Sequence, residues 1–383
     1  MSVNTELGNL VRLGECIEST EKRNYDLFYG SDDVVGMTIT KQIIPTKADV
    51  ENTDLTKFLI VSPREFVYNP RTHGKKIGLG FNNTDKTVMI SWNNISFKVK
   101  DSKLDISVMP EYLYILFCRD EWDREACYRA LGSSTEVFSW GEMCDMKIPL
   151  PSIEVQQELV DTYNGLKALA EQNEALSKPL TEACQAYIVD CKKKYHEVNL
   201  GECIEQTDNR NYDLFYGTDD VVGMTITKQI IPTKADVKNT DLTKFLIVSP
   251  REFVYNPRTH GKKIGLGFNN KDKTVMISWN NISFKVQDSK LDISVMPEYL
   301  YLLFCREEWD REACYRSLGS STEVFSWVEM CDMKIPLPPP EVQQAIVNIY
   351  NCAEEAKNIA NEAREKMKML CPALVQRAIN ERC

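Results

Sequence analysis

The sequence predicts an α+β protein, built as two tandem mixed α/β domains separated by two long helices. Three features carry this expectation: a repeat at constant offset, short β-branched and aromatic runs divided by turn residues, and a helical stripe after each copy. LGECIE at Leu13 recurs at Leu200, and the match holds the same offset of 187 residues through Pro151 and Pro338. Only 11 of the 139 paired positions differ, among them Ser19/Gln206, Glu51/Lys238, Ile115/Leu302 and Gly141/Val328, about 92% identity without a gap. Solenoid repeats have periods of roughly 20–50 residues, so a unit of this length must own its core.

Within a copy the elements follow in order. VVGMTITKQII, KFLIV, EFVYN, KTVMISW and ISFKV read as strands, set apart by the turn chemistry of NPRTHG and NNTDK. GLGF at Gly78–Phe81 reads as a turn or a close-packed strand. Pro110 then opens a helical pattern that stops at Gly132.

The connectors read as helices. In the first, Val155, Leu159, Tyr163, Leu166, Ala170, Leu176 and Leu180 form the apolar stripe. In the second, Val342, Ile346, Tyr350, Ala353, Ala356, Ala360, Ala363, Met367 and Leu370 do so, and Pro338–Pro340 stand where a helix start tolerates proline. Pro179 and Pro372 should kink or end their helices. Glu154 to Ser177 gives 24 residues, or about 36 Å. The connectors share only about 9 identities in 45 while the domains match. Two helices packed on each other need complementary faces rather than equal ones, so the pair is expected to run antiparallel. The boundaries are 1–151, 152–197, 198–338 and 339–383.

Thirteen cysteines lack CxxC spacing, and the N-terminus lacks a basic patch followed by an apolar stretch. The expectation is free core thiols in a reducing cytoplasm. No apolar run approaches the roughly 18 residues that span a bilayer.

The formal net charge of −10 argues against a polycation coating nucleic acid, but the charge is unevenly placed. Leu55–Lys100 carries +6, as does Leu242–Gln287, whereas Glu111–Asp145 carries −5. In the first basic segment Lys57, Arg64, Arg71, Lys75, Lys76 and Lys86 interleave with Tyr68, Asn69, His73, Asn82, Asn83 and Trp92. The second repeats this with Lys244, Arg251, Tyr255, Asn256, Arg258, His260, Lys262, Lys263, Asn269, Asn270, Lys273 and Trp279. Cations supply phosphate contacts and Arg and Asn can read guanine and adenine edges, so these are the candidate DNA-binding residues. The acids Asp120, Glu121, Asp123 and Glu125 are expected to face solvent or a partner.

Catalytic signatures are missing. YNPR at Tyr68–Arg71 lacks the second proline and the aromatic of the NPPY site of adenine-N6 methyltransferases, no Walker A run is present, and three histidines make a metal site improbable.

The run MKIPLPSIEVQQELV (Met146–Val160), repeated as MKIPLPPPEVQQAIV (Met333–Val347), resembles the specificity subunit of Type I restriction-modification systems. In that family a target recognition domain ends in such a signature, leads into a spacer helix, and occurs twice. The resemblance implies a noncatalytic subunit, pseudo-twofold symmetric, with an antiparallel coiled coil holding two recognition domains on a bipartite double-stranded DNA site. It implies two methyltransferase subunits and optional restriction subunits as partners, which carry S-adenosylmethionine and ATP/Mg; this chain needs no cofactor or metal of its own. Near-identical domains imply the same half-site inverted about a fixed spacer. A stand-alone pseudo-dimeric DNA-binding regulator, or the specificity subunit of a Type IIB-like enzyme, stays open as an alternative.

Overall fold

The computed structural model describes residues 10–72, 75–100, 107–130, 136–260, 263–287, 293–317 and 323–380, apart from the side chains of His260 and of residues 371–380. The chain divides into two compact units, 1–172 with 359–383, and 173–358, so each division falls inside a long helix.

Unit 1 runs β1 (Leu10–Arg12), α1 (Leu13–Cys16), β2 (Ile17–Ser19), β3 (Val35–Met37), β4 (Ile43–Pro45), β5 (Leu59–Val61), β6 (Phe66–Thr72) and β7 (Ile77–Phe81). There follow β8 (Val88–Ile90), β9 (Ile95–Val99), α2 (Pro110–Phe117), α3 (Asp120–Arg129), α4 (Trp140–Asp145), β10 (Lys147–Pro149) and the start of α5 (Ile153–Lys194). The central sheet is antiparallel in the order β2-β9-β6-β7, and β1-β10, β3-β4 and β5-β8 form two-stranded ribbons.

Alternation places Phe66, Tyr68 and Phe97 on one face of this sheet, where α2 closes over them. Phe66 stacks on Phe97 at 5.0 Å and meets Phe117 edge-on at 5.5 Å, geometries that add about 0.5–1.5 kcal/mol per pair beyond burial. GLGF is a buried strand, β7, for a steric reason. The β3-β4 hairpin crosses it so closely that a Cβ on Gly80 would stand 2.5 Å from Ile43 Cγ1.

Two sequence expectations need correction. The helix from Pro110 is two helices, broken at Cys118 and Arg119, where the backbone turns extended (φ −79°, ψ 144°) before restarting. The break redirects α3 so that Asp123, expected at the surface, is buried against Lys41. Of the kink or end expected at Pro179 and Pro372, the end does not occur: α5 continues to Lys194 for 42 residues in all, and the second long helix, Pro340–Asn380, runs through Pro372.

The signature before each long helix has a structural basis. Gln156, fully buried, accepts a hydrogen bond from Met109 N (2.9 Å) and donates to Ser107 O and Pro151 O (3.0 Å each), fastening the first turn of α5 to its domain. Gln343 repeats these bonds with Met296, Ser294 and Pro338.

Unit 2 repeats the fold and adds the C-terminal part of α5, whose Cys184, Ile188 and Cys191 join a core containing Ile346 and Val347. In unit 1, Tyr163, Lys167 and Glu171 of α5 line one cavity with Arg364 and Met367. Late α5 thus meets the early part of the second helix, and earlier α5 its later part, the order an antiparallel pair requires. The described cysteines are free, but Cys305 and Cys352 are exposed rather than core residues. No helix among the described residues is long and apolar enough to cross a membrane.

Candidate nucleic-acid interface

Strand register decides which polar residues share a surface. Ile95 pairs with Tyr68, which in turn pairs with Leu79. The residues preceding β9, those following Tyr68 in β6 and those preceding β7 therefore gather at one end of the central sheet. There lie Asn69, Arg71, Lys75, Lys76 and Trp92. Leu59 pairs with Ile90, which brings Lys57 to the same end, and Phe58 holds Trp92 edge-to-face at 5.8 Å.

Arg71 is exposed on a firmly tied backbone: it bridges to Val137, its neighbour Pro70 accepts Phe138 N at 2.7 Å, and Thr72 N donates to Glu136 O at 3.2 Å. The ladder with β7 shifts register between Tyr68 and Thr72, where Pro70 lacks an N–H to donate. Asn69 Oδ1 accepts Arg71 N at 3.0 Å, so Asn69 helps aim the arginine. Lys75 takes a left-handed backbone (φ 67°), and Lys76 lies 3.6 Å from Asp120. Lys57 is exposed, 3.7 Å from Asp54, and Trp92 is half exposed.

Other candidates are elsewhere. Arg64 forms a bidentate pair with Glu111 (2.6 and 3.1 Å) and, with Asn83, lines a cavity of about 350 Å³ whose opposite wall is Tyr163, Asn164 and Lys167 of α5. Lys86, exposed, belongs to the same turn as Asn83. These residues mark the opposite end of the sheet. Tyr68 and Asn82 are corrections: both are buried. Tyr68 donates to Phe138 O, and burial raises its phenol pKa. Asn82 Nδ2 donates to Val61 O and Lys86 O (3.0 and 2.8 Å), the best use of an amide that closes a turn. His73 lies outside the described residues.

The second copy repeats this placement. Arg258, Asn256, Lys244, Trp279 and Lys263 occupy the corresponding end, with Asn256 Oδ1 accepting Arg258 N at 3.0 Å and Trp279 edge-on to Phe245 at 5.8 Å. Lys263 also lines a cavity with Glu182 and Gln185 of α5. Arg251 pairs with Glu298 at 2.6 Å, Asn270 is exposed beside buried Asn269, and buried Tyr255 donates to Phe325 O. Lys273 pairs with Asp220 at 2.8 Å, which raises its pKa through that hydrogen bond and charge. His260 is described by backbone alone, and Lys262 lies outside the described residues.

Sequence reasoning missed the loop Arg23–Gly30, which adjoins this surface. Arg23 Nη1 donates to Lys57 O at 2.7 Å and Asn24 N to Phe58 O at 3.1 Å. RNYDLFYG has neither strand nor helix periodicity, so nothing in it separates buried from exposed apolar residues, and its recurrence at Arg210–Gly217 is shared with the rest of the domain. Among the described residues, no group of three or more His, Cys, Asp or Glu side chains could hold a metal ion.

Residues 192–365 match the family model described as Type I restriction modification DNA specificity domain. No curated protein matches the chain in sequence. Among solved structures, the Type I restriction-modification S subunit from M. genitalium is similar at 12% identity and a TM-score of 0.50, covering 99% of this chain and 97% of that one. The HsdS subunit from Thermoanaerobacter tengcongensis is similar at 15% identity and a TM-score of 0.42, covering 98% and 97%. The first of these shares the fold over the whole chain, and residues 200–338 of the matched segment are repeated at about 92% identity in residues 13–151. Residues 192–365 thus match the Type I restriction modification DNA specificity domain, and residues 13–151 repeat the part of that match from 200 to 338.

Proposed function

We propose that the chain is the noncatalytic subunit that reads a bipartite, palindromic DNA site for a Type I adenine-N6 methyltransferase, with each domain taking the same half-site. The domains are 1–151 and 198–338; 152–197 and 339–383 form the spacer helices. The observation that carries this reading is the duplication: the exposed residues Arg71, Trp92 and Lys57 recur as Arg258, Trp279 and Lys244 with the same local bonding. Two surfaces with the same donors select the same bases. Two methyltransferase subunits supply S-adenosylmethionine chemistry, and restriction subunits, where present, supply ATP/Mg chemistry.

Methylome sequencing of a host expressing the chain with its methyltransferase tests this. The expected motif is two inverted copies of one half-site around a fixed spacer. Two unrelated half-sites would overturn the palindrome, and an uninterrupted motif would overturn the bipartite reading. Removing matched turns from both spacer helices is expected to change the spacer and leave the half-sites intact.

A further inference from the structure

We propose that the loop Asn24–Gly30, with its copy Asn211–Gly217, is a rigid apolar tip that enters a DNA groove and sets Leu27 and Phe28, or Leu214 and Phe215, against the bases. This rests on the DNA-reading function proposed above and adds residues that the basic segment does not contain.

Tyr25, Leu27 and Phe28 are 69%, 58% and 83% exposed, and their copies 70%, 58% and 83%. The loop is built to hold them out. Buried Asn24 donates through Nδ2 to Tyr29 O at 2.9 Å and accepts Tyr29 N at 3.2 Å, while Asn24 O accepts Leu27 N at 3.0 Å. Asn211 makes the same three bonds at 2.9, 3.1 and 3.0 Å. Leu27 and Leu214 are held at φ 51° and 52°, a left-handed conformation unfavourable for a side chain with a Cβ. A strained backbone that exposes apolar area is not a feature of a folding core; its use lies in a contact with something else.

The tip is the same in both copies, Arg23–Gly30 recurring unchanged as Arg210–Gly217. Continuity identifies the occupant. Arg23 bonds the Lys57 carbonyl, and Asn24 bonds Phe58, on which Trp92 rests. The loop springs from the end of the sheet that carries Lys57 and Trp92, so DNA read by those residues is the occupant assigned to its tip. Apolar side chains flanked by cations are suited to touching or partly unstacking a base step.

The test uses the chain assembled with its methyltransferase subunit and a duplex carrying the motif found by methylome sequencing. Phe28→Ala with Phe215→Ala is expected to weaken binding about tenfold without changing the salt slope, because an apolar contact releases no counterions. Phe28→Trp with Phe215→Trp keeps a face that can stack and should retain most of the affinity. Unchanged affinity in the alanine variant would overturn the proposal. So would a smaller salt slope, or a loss of methyltransferase association with DNA affinity intact. If the unaltered complex showed no sequence preference, the DNA-reading function itself would fail, an outcome distinct from these.

Discussion

Replacing Lys41 with methionine is expected to lower the stability of its unit by about 3–5 kcal/mol, the cost of leaving a buried charge without its partner. Lys41 Nζ lies 2.5 Å from Asp123 Oδ1 and donates to Ile77 O at 2.6 Å, and the same Oδ1 accepts Ile77 N at 3.1 Å. Both side chains are buried. The pair ties three elements together: the β3-β4 hairpin, the start of β7 and α3. Without the ammonium group, Asp123 keeps one backbone donor in a site closed to water. Against the roughly 5–15 kcal/mol that stabilises an ordinary domain, the loss should appear in urea or thermal unfolding as an earlier transition for the altered unit. Lys228 and Asp310, at the same 2.5 Å, hold the other unit unchanged. Lys41→Met combined with Asp123→Leu should recover most of the stability, since replacing both charges removes the orphan. A single-variant cost below about 1 kcal/mol would show that water reaches the pair.

That ion pair also marks where sequence reading stops. The duplication, the strands β5, β6, β8 and β9 and the two long helices were legible because each rests on a local signal: repetition, β-branched runs or helical spacing. Lys41 and Asp123 are 82 positions apart, and neither segment records that the other will bury it. The same limit separates the candidate DNA residues. Tyr68 and Asn82 share the basic segment with Arg71 and Lys75, yet strand alternation turns Tyr68 inward and a turn consumes the amide of Asn82. Arg64 and Arg71, seven residues apart in sequence, stand at opposite ends of the sheet. Composition identified the segment; register was needed to divide it. The proline in α5 does not end the helix, for a related reason. Losing one backbone hydrogen bond is a local cost, whereas the packing of Cys184, Ile188 and Cys191 beyond it into a core is a tertiary gain that a local rule does not count.

Arg71→Ala with Arg258→Ala is expected to weaken DNA binding by about 2–6 kcal/mol, from roughly 1–3 kcal/mol at each of two sites that share no partner. Each guanidinium is exposed on a strand tied on both sides, by β7 or its copy and by the bridge to Val137 or Val324. Binding therefore finds the side chain already aimed, and its loss appears in affinity rather than in folding. Stability should change by no more than about 0.5 kcal/mol, as for other exposed positions. The form of the loss separates two roles. Phosphate contacts would lower the salt slope by about 0.9 for each one lost and weaken all sequences alike, whereas base contacts would leave the slope and relax the motif at one position in each half-site. Arg71→Lys with Arg258→Lys sharpens the distinction, because an ammonium replaces a point charge on phosphate but cannot reproduce a bidentate fork on guanine. Fluorescence titration at several salt concentrations, with the motif read again by methylome sequencing, measures both. Affinity, slope and motif all unchanged would remove this end of the sheet from the DNA-reading surface and leave Arg64, Lys86 and their copies at the other end to carry it.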